Sequence, residues 1–235
     1  MAKRESQDAR KARTAEIYSI LRKTYPDARC TLDFANPLEL LVATILAAQC
    51  TDVRVNIITK SLFRKYPTVH AYARAGQEEL EQDIRSAGFY RNKAKAIRLA
   101  AQMILDRFGG KAPGTMAELL MLPGVARKTA NVILGNSFGQ NEGITVDTHV
   151  TRVSQRLGLS RHEDPVKIEQ DLMELAPRDQ WMMFSHVLVF HGRACCTARS
   201  PNCAGCPVNK LCPSAFTFDK PKGPAKSRKT KPSAL

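Results

Sequence analysis

The sequence predicts an all-α fold, and three observations support that prediction. Apolar residues recur at intervals of three and four along most of the chain, which is the spacing of one helix face. Residues that favour helix N-termini precede several of these segments, and glycines follow some of them. No segment shows sustained apolar–polar alternation, and no hairpin dipeptide separates two β-branched runs. We therefore expect many short helices.

Helix signals follow one another along the chain. Asn36 and Pro37 form a cap and a first helical position, and they open the apolar run 38–49. Asp52 is expected to cap the helix after that run. The other helices are predicted at residues 9–24, 69–75, 78–86, 92–108, 126–138, 147–158 and 179–192, with two more beginning at residues 115 and 164.

No long linker divides these helices, so domain boundaries must be inferred from how the helices group. The helices between residues 31 and 138 could form one unit, and the later helices with a cysteine-rich loop could form a second. The first helix could pack with either unit, and its sequence does not decide between them.

The charge balance points to a polyanionic partner. The 235 residues include 36 lysines and arginines against 22 acidic residues, a formal net charge of +14. Such a surplus favours nucleic acid over a membrane as the partner. The longest apolar stretch, residues 40–48, is too short to span a bilayer, and the N-terminus lacks the apolar segment of a secretory signal. We therefore expect an intracellular protein with reduced thiols, with flexible basic ends at residues 1–8 and 216–235.

Four of the seven cysteines form a compact array with the spacing C-x6-C-x2-C-x5-C, namely Cys196, Cys203, Cys206 and Cys212. The loop between them has no apolar periodicity, so a metal centre would have to hold it. Four thiolates suit either zinc or a [4Fe–4S] cluster. Zinc ribbons usually pair two C-x2-C knuckles, and this array has one, which favours the iron–sulfur cluster. Cys195 and the two remaining cysteines are read as core thiols.

A glycine-containing turn precedes the helix predicted at residues 126–138. Such a turn leaves backbone N–H groups unpaired at the start of the second helix, where they can hold a DNA phosphate without reading bases. An ordinary corner between two helices is the alternative. The residues expected to face the phosphate are Leu122, Gly124, Val125 and Ala126.

The motifs together resemble the endonuclease III family, the bifunctional DNA glycosylases and AP lyases of base excision repair. The resemblance rests on the segments LPGVARKTANVIL, ITVDTHVTRVSQRLGL and HGRACCTARSPNCAGCPVNKLC, and it covers residues 17–212. It implies a six-helix domain with a helix–hairpin–helix at residues 31–138. It also implies an iron–sulfur domain at residues 9–30 and 139–215, with a DNA cleft between the two domains.

The resemblance also implies roles for individual residues. Lys128 stands at the family's nucleophilic lysine and Asp147 at its catalytic aspartate. Without the surrounding motifs, a solvated lysine and a plain N-cap aspartate would be sufficient readings. Gln49 stands at the position that fills the space left by an everted nucleotide, and Phe89 at the wedge position, where a leucine is expected. Arg199 lies in the cysteine loop and could reach a phosphate, although a solvated arginine is the alternative.

Three histidines and the tryptophan invite catalytic readings, but we expect structural roles for them. Trp181 and His186 lie in an apolar helical pattern that favours the core. His149 follows Asp147 closely and could support its geometry, and His191 closes the last helix before the cysteines.

The expected function is removal of oxidised pyrimidines from double-stranded DNA, with strand cleavage at abasic sites, by a bacterial cytoplasmic monomer. Two alternatives remain at this point. An adenine or mismatch glycosylase of the same superfamily would lack the lysine that stands at position 128. A non-catalytic iron–sulfur DNA-binding module would not need Lys128 together with Asp147.

Overall fold

The computed structural model describes residues 5–218, and every regular element in that range is helical, which confirms the all-α prediction. Three short 3₁₀ segments accompany the α-helices. The α-helices are α1 (Gln7–Thr24), α2 (Pro37–Ala47), α3 (Asp52–Lys65), α4 (Val69–Arg74), α5 (Gln77–Asp83), α6 (Tyr90–Phe108), α7 (Met116–Leu119), α8 (Arg127–Phe138), α9 (Thr148–Arg156), α10 (Pro165–Leu175) and α11 (Trp181–Ala194). The expected tail at residues 219–235 and the first four residues lie outside this range.

Side-chain caps fix where several helices begin. Asn36 caps α2 ahead of Pro37, as its sequence predicts, and its Oδ1 accepts a hydrogen bond from the backbone N–H of Glu39 at 3.0 Å. The expected cap of α3 is wrong by one residue. Thr51 caps that helix, and Asp52 is its first residue. Because Thr51 supplies the cap, the carboxylate of Asp52 is free for other partners.

The buried apolar side chains form two clusters. The first cluster runs from Leu32 to Leu134 and is built by α2 to α8. The second joins residues 17–28 to residues 144–208, so it is built by α1, α9, α10, α11 and the cysteine loop. The placement of α1 was open in the sequence. In the structure its Tyr18 ring packs edge-on against Phe184 of α11, with centroids 5.8 Å apart.

A buried carboxylate connects the two clusters. Glu169, on α10 of the second cluster, accepts hydrogen bonds from Arg127 Nε and Asn131 Nδ2, both at 2.8 Å, and both donors are on α8. Glu169 is 5% exposed, so it depends on Arg127 for an opposite charge and on both side chains for its hydrogen bonds. Gly143 lies against this group, and a Cβ atom at Gly143 would overlap the Glu169 carboxylate. Within residues 5–218, no helix is both long enough and apolar enough to cross a membrane.

We predict that Gly143→Ala destabilises the protein because its methyl group must displace the Glu169 carboxylate from Arg127 and Asn131. The expected cost is about 1–3 kcal/mol, typical of overpacking. Circular dichroism would report it as a fall in the thermal midpoint. The matched control is Gly76→Ala, where the added Cβ would meet only ordinary contacts at 3.5 Å or more. Equal midpoints for the two variants would contradict the prediction.

Candidate active site and cluster cavity

The hairpin between α7 and α8 is held by its apolar residues. Leu122 and Val125 are buried in the first cluster, and the N–H of Val125 donates to the carbonyl of Leu122 at 3.1 Å. Gly124 has a φ of 81°, a conformation that glycine adopts readily. Ala126, two residues after Gly124, has a φ of −99°, which is open to any L-residue. The alanine therefore fits the hairpin without backbone strain.

Helix α8 begins directly after the hairpin and has no side-chain cap. Ala126 occupies the N-cap of α8, and no side chain accepts the first N–H groups of that helix. These donors and the positive end of the helix dipole form a site for an anionic group. Lys128 is the second residue of α8 and is exposed. The amine is therefore accessible to a ligand that docks at this end of the helix.

The start of α9, unlike that of α8, is capped by a side chain, that of Asp147. As the predicted N-cap it accepts the N–H groups of His149 and Val150 on Oδ1, both at 2.8 Å. His149 thus supports Asp147 through its backbone, not its ring. No ion pair within residues 5–218 involves Asp147 or Lys128. The carboxylate is therefore oriented by α9 while Oδ2 stays free of protein donors in that range.

A third charged group lies near Lys128. Asp52 accepts hydrogen bonds from Thr31 Oγ1 at 2.5 Å and Arg193 Nη2 at 2.7 Å. Burial alone would raise the pKa of Asp52, but these two hydrogen bonds and the charges of Arg193 and then Lys128 outweigh it and lower the pKa. Sequence reasoning missed this arrangement because it treated Asp52 as a helix cap, and nothing in the sequence connects Asp52 with Arg193.

The two residues expected to enter the duplex share an unusual backbone. Gln49 has a φ of 54° and Phe89 a φ of 47°, both in the left-handed region that disfavours residues other than glycine. Gln49 is exposed just after α2, and Phe89 is 64% exposed just before α6. An exposed phenylalanine in a strained turn does not contribute to the core.

The four predicted ligand cysteines line one cavity. Cys196, Cys203, Cys206 and Cys212 surround it, and its empty space of about 360 Å³ is partly open to solvent. Burial raises the pKa of Cys206 to about 12 and also raises that of Cys212. Their thiols would therefore keep their protons until a metal displaces them.

The spacing of the sulfur atoms fits a cluster better than a single ion. Four sulfurs on one zinc at about 2.3 Å would lie roughly 3.8 Å from one another. Among residues 5–218, no three of the four predicted cysteines bring their sulfurs within 4.8 Å of one another. The one group that does combines His191, Cys195 and Cys206. The donor set is therefore four thiols around a larger space, as an iron–sulfur cluster requires.

Three side chains at this cavity were not predicted as functional. Arg156 donates to Cys196 Sγ at 3.3 Å and to the carbonyl of Thr197 at 2.7 Å, and it lies over the ring of Phe218. His191 Nε2 lies 3.6 Å from Cys206 Sγ. No motif marks these residues. Arg156 reaches the cavity from α9, Phe218 from the segment that follows the cysteines, and His191 from the end of α11 just before them. Arg199 is exposed in the loop that Arg156 holds.

The expectation of structural roles fits the remaining candidates. His186 Nε2 is 3.0 Å from Asn136 Oδ1, and burial lowers the pKa of His186 to about 4. Trp181 donates its indole N–H to the carbonyl of Ala176 at 2.9 Å. The polar groups of both side chains have hydrogen-bond partners within the protein, so neither is available to act on a substrate.

Comparisons with known proteins agree with this geometry. Residues 42–178 match the family profile described as the HhH-GPD superfamily base excision DNA repair protein, and residues 196–212 match the iron–sulfur binding domain of endonuclease III. The chain is 54% identical to endonuclease III of Synechocystis over 207 residues, which cover 88% of this chain and 94% of that protein. The chain belongs to the endonuclease III family.

Further relatives agree with this family assignment. Endonuclease III of Bacillus subtilis is 49% identical over 83% of this chain and 90% of its own length. Two solved structures of endonuclease III with DNA, one non-covalent and one a trapped covalent intermediate, each superpose with a TM-score of 0.84 at 46% identity. They cover 88% of this chain and 97% of theirs. As a member of the endonuclease III family, this chain is a base excision repair glycosylase and AP lyase for oxidised pyrimidines, and its cysteines hold an iron–sulfur cluster.

We predict that Cys203→Ser loses most of its iron, because one of the four predicted cluster ligands is removed. Cys195→Ser, beside the array, should retain about four iron atoms per chain. Iron analysis and visible absorbance of the two purified variants are the measurements. A colourless Cys195→Ser protein would contradict the ligand set Cys196, Cys203, Cys206 and Cys212.

Proposed function

We propose that Lys128 is the nucleophile of this enzyme. A neutral amine at Nζ attacks C1′ of the damaged nucleoside, the glycosidic bond breaks, and the base leaves with the electron pair and takes up a proton. Opening of the sugar gives a protonated Schiff base between Nζ and C1′. That imine acidifies the 2′ proton, whose removal expels the 3′ phosphate by β-elimination. Water then releases the amine. The exposed position of Lys128 at the uncapped start of α8 is the observation that carries this proposal.

Asp147 is the proposed partner of Lys128. Its Oδ1 is occupied by two backbone N–H groups, so the side chain is fixed while Oδ2 can face a ligand. A carboxylate there would stabilise the positive charge that develops on the sugar and assist proton transfer. Asp52 is less suited to this work because its charge is already engaged by Arg193 and Thr31.

DNA would be held through its backbone and opened at the lesion. The uncapped N–H groups after Gly124 and Ala126 suit a phosphate, and the buried side chains of Leu122 and Val125 leave only their backbone for contact. Arg199 adds an exposed positive charge on the cluster loop.

Two exposed side chains are suited to opening the duplex. Gln49 would fill the space opposite the everted nucleotide, and Phe89 would wedge the neighbouring bases apart.

The larger organisation of the enzyme follows from the two apolar clusters. We place the helix–hairpin–helix domain at residues 31–138, where the structure has seven α-helices, α2 to α8, rather than the six expected, and a [4Fe–4S] domain at residues 9–30 and 139–215. The DNA cleft lies between them, where α8 and α9 begin. The substrate is double-stranded DNA that carries an oxidised pyrimidine or an abasic site. We propose that a monomer acts on it in the bacterial cytoplasm, which the bacterial origin of the similar proteins supports.

We predict that borohydride traps the wild-type chain on a duplex with an abasic site, because reduction makes the Schiff base permanent. Lys128→Gln removes the amine and should abolish the adduct. Lys111→Gln changes another exposed lysine and should leave trapping unchanged. Denaturing electrophoresis separates the adduct from free protein. An adduct that persists in Lys128→Gln would place the nucleophile elsewhere.

We predict that Phe89→Ala slows excision from duplex DNA about tenfold or more, because alanine leaves the space between unstacked bases empty. Phe89→Leu should stay within about threefold of the wild type, since leucine still fills that space. Single-turnover excision kinetics provide the measurement. Leu99→Ala, which shortens another exposed apolar side chain, is the control. Equal rates for Phe89→Ala and Leu99→Ala would exclude the wedge.

A further inference from the structure

Lys93 is a buried lysine without an acidic partner in residues 5–218. It lies in the first turn of α6 and is 5% exposed. Its Nζ donates to the carbonyl oxygen of Leu46 at 2.8 Å and to that of Ala87 at 2.9 Å. Burial lowers the pKa of this amine. An apolar side chain would fill the same space without that penalty, so the two hydrogen bonds call for an explanation.

The two carbonyls belong to the two loops expected to enter the duplex. Leu46 lies in the last turn of α2, three residues before Gln49. Ala87 lies two residues before Phe89, at the end of a short 3₁₀ helix. Gln49 and Phe89 both have backbone conformations in the left-handed region. A single ammonium group therefore links the backbone just before Gln49 to the backbone just before Phe89, two strained positions that are 40 residues apart in the sequence.

The same face of α6 also reaches the phosphate-binding hairpin. Ala96, three residues after Lys93, lies so close to Gly124 that a Cβ there would be 3.0 Å from its methyl group. The first two turns of α6 thus contact the supports of Gln49, Phe89 and the hairpin. Their relative positions depend on this helix.

We propose that Lys93 is a positioning residue that sets the spacing between Gln49 and Phe89, so that both side chains enter the duplex together. The inference rests on the proposed roles of these two residues. It assigns Lys93 no contact with the DNA and no part in the chemistry at Lys128. Loss of its hydrogen bonds should therefore impair work on duplex DNA and spare cleavage at an abasic site in a single strand, where no base pair has to be opened.

The test compares Lys93→Met with the matched control Lys95→Met, an exposed lysine on the same helix. Methionine fills most of the buried space and removes the donors. Single-turnover excision is measured on a duplex with one oxidised pyrimidine, and strand cleavage on a single-stranded oligonucleotide with one abasic site. Lys93→Met should slow the duplex reaction about tenfold and change the single-strand reaction by less than about twofold, the scale of one lost coupling. Lys95→Met should change neither.

A double-mutant cycle separates positioning from a general structural effect. In a Gln49→Ala/Phe89→Ala background the side chains that Lys93 positions are gone, so adding Lys93→Met should cause no further loss on the duplex. A merely structural role predicts losses that multiply. Circular dichroism and iron content check that each variant folds. Lys93→Gln, which is shorter and uncharged, is measured in the same cycle, so failure of Lys93→Met to fold leaves a variant that decides the question.

The outcomes distinguish the inference from the proposed function. Wild-type duplex rates in folded Lys93→Met or Lys93→Gln overturn the inference alone. Equal losses of rate on the duplex and on the single strand, or rate losses that multiply in the double-mutant cycle, do the same. Wild-type duplex rates in Gln49→Ala/Phe89→Ala overturn the proposed roles of those two residues, and the positioning role with them. The borohydride test of Lys128 is unaffected by either result.

Discussion

The buried Glu169 carboxylate is the interaction on which the arrangement of the two apolar clusters depends. It lies on α10 of the second cluster and is satisfied by Arg127 and Asn131 of α8, whose apolar face belongs to the first cluster. Removing a partner from a fully buried charge costs about 3–5 kcal/mol in typical cases, and less here because the Arg127 side chain is 42% exposed to solvent. This cost opposes movement of α8 relative to α10. Because Arg127 adjoins Lys128, the backbone at Lys128 is held relative to both clusters.

With α8 held against α10, the backbone N–H groups at the starts of α8 and α9 are left with different partners. Each helix presents free N–H groups and the positive end of a dipole. At the start of α9, two of these N–H groups donate to Asp147 and so orient its carboxylate. The start of α8 has no capping side chain and leaves them for an anion beside Lys128. The proposed nucleophile, its oriented carboxylate partner and the proposed phosphate site thus lie at two helix starts with different caps.

Local signals in the sequence predicted most of this architecture. Helix caps such as Asn36, the four cysteines and the hairpin around Gly124 each depend on neighbouring residues, and short motifs record them. The contacts that the sequence could not predict join distant residues: 42 positions separate Arg127 from Glu169, 47 separate Leu46 from Lys93, and 141 separate Asp52 from Arg193. No periodicity encodes such pairs. The cap of α3 was misassigned because Thr51 and Asp52 are both good caps, and only backbone geometry decides between them.

The strained loops show how the core supports the surface. A residue other than glycine in a sparsely populated backbone region costs about 1–3 kcal/mol, so Gln49 and Phe89 persist only because their surroundings determine them. Just before each of them the chain is anchored, by Leu46 in the first cluster and by the buried Ala87. The left-handed step then turns each side chain away from its helix and into solvent. Packing energy in the first cluster therefore holds the two side chains proposed to enter DNA in place before any DNA is bound, which lowers the ordering cost of the proposed insertion.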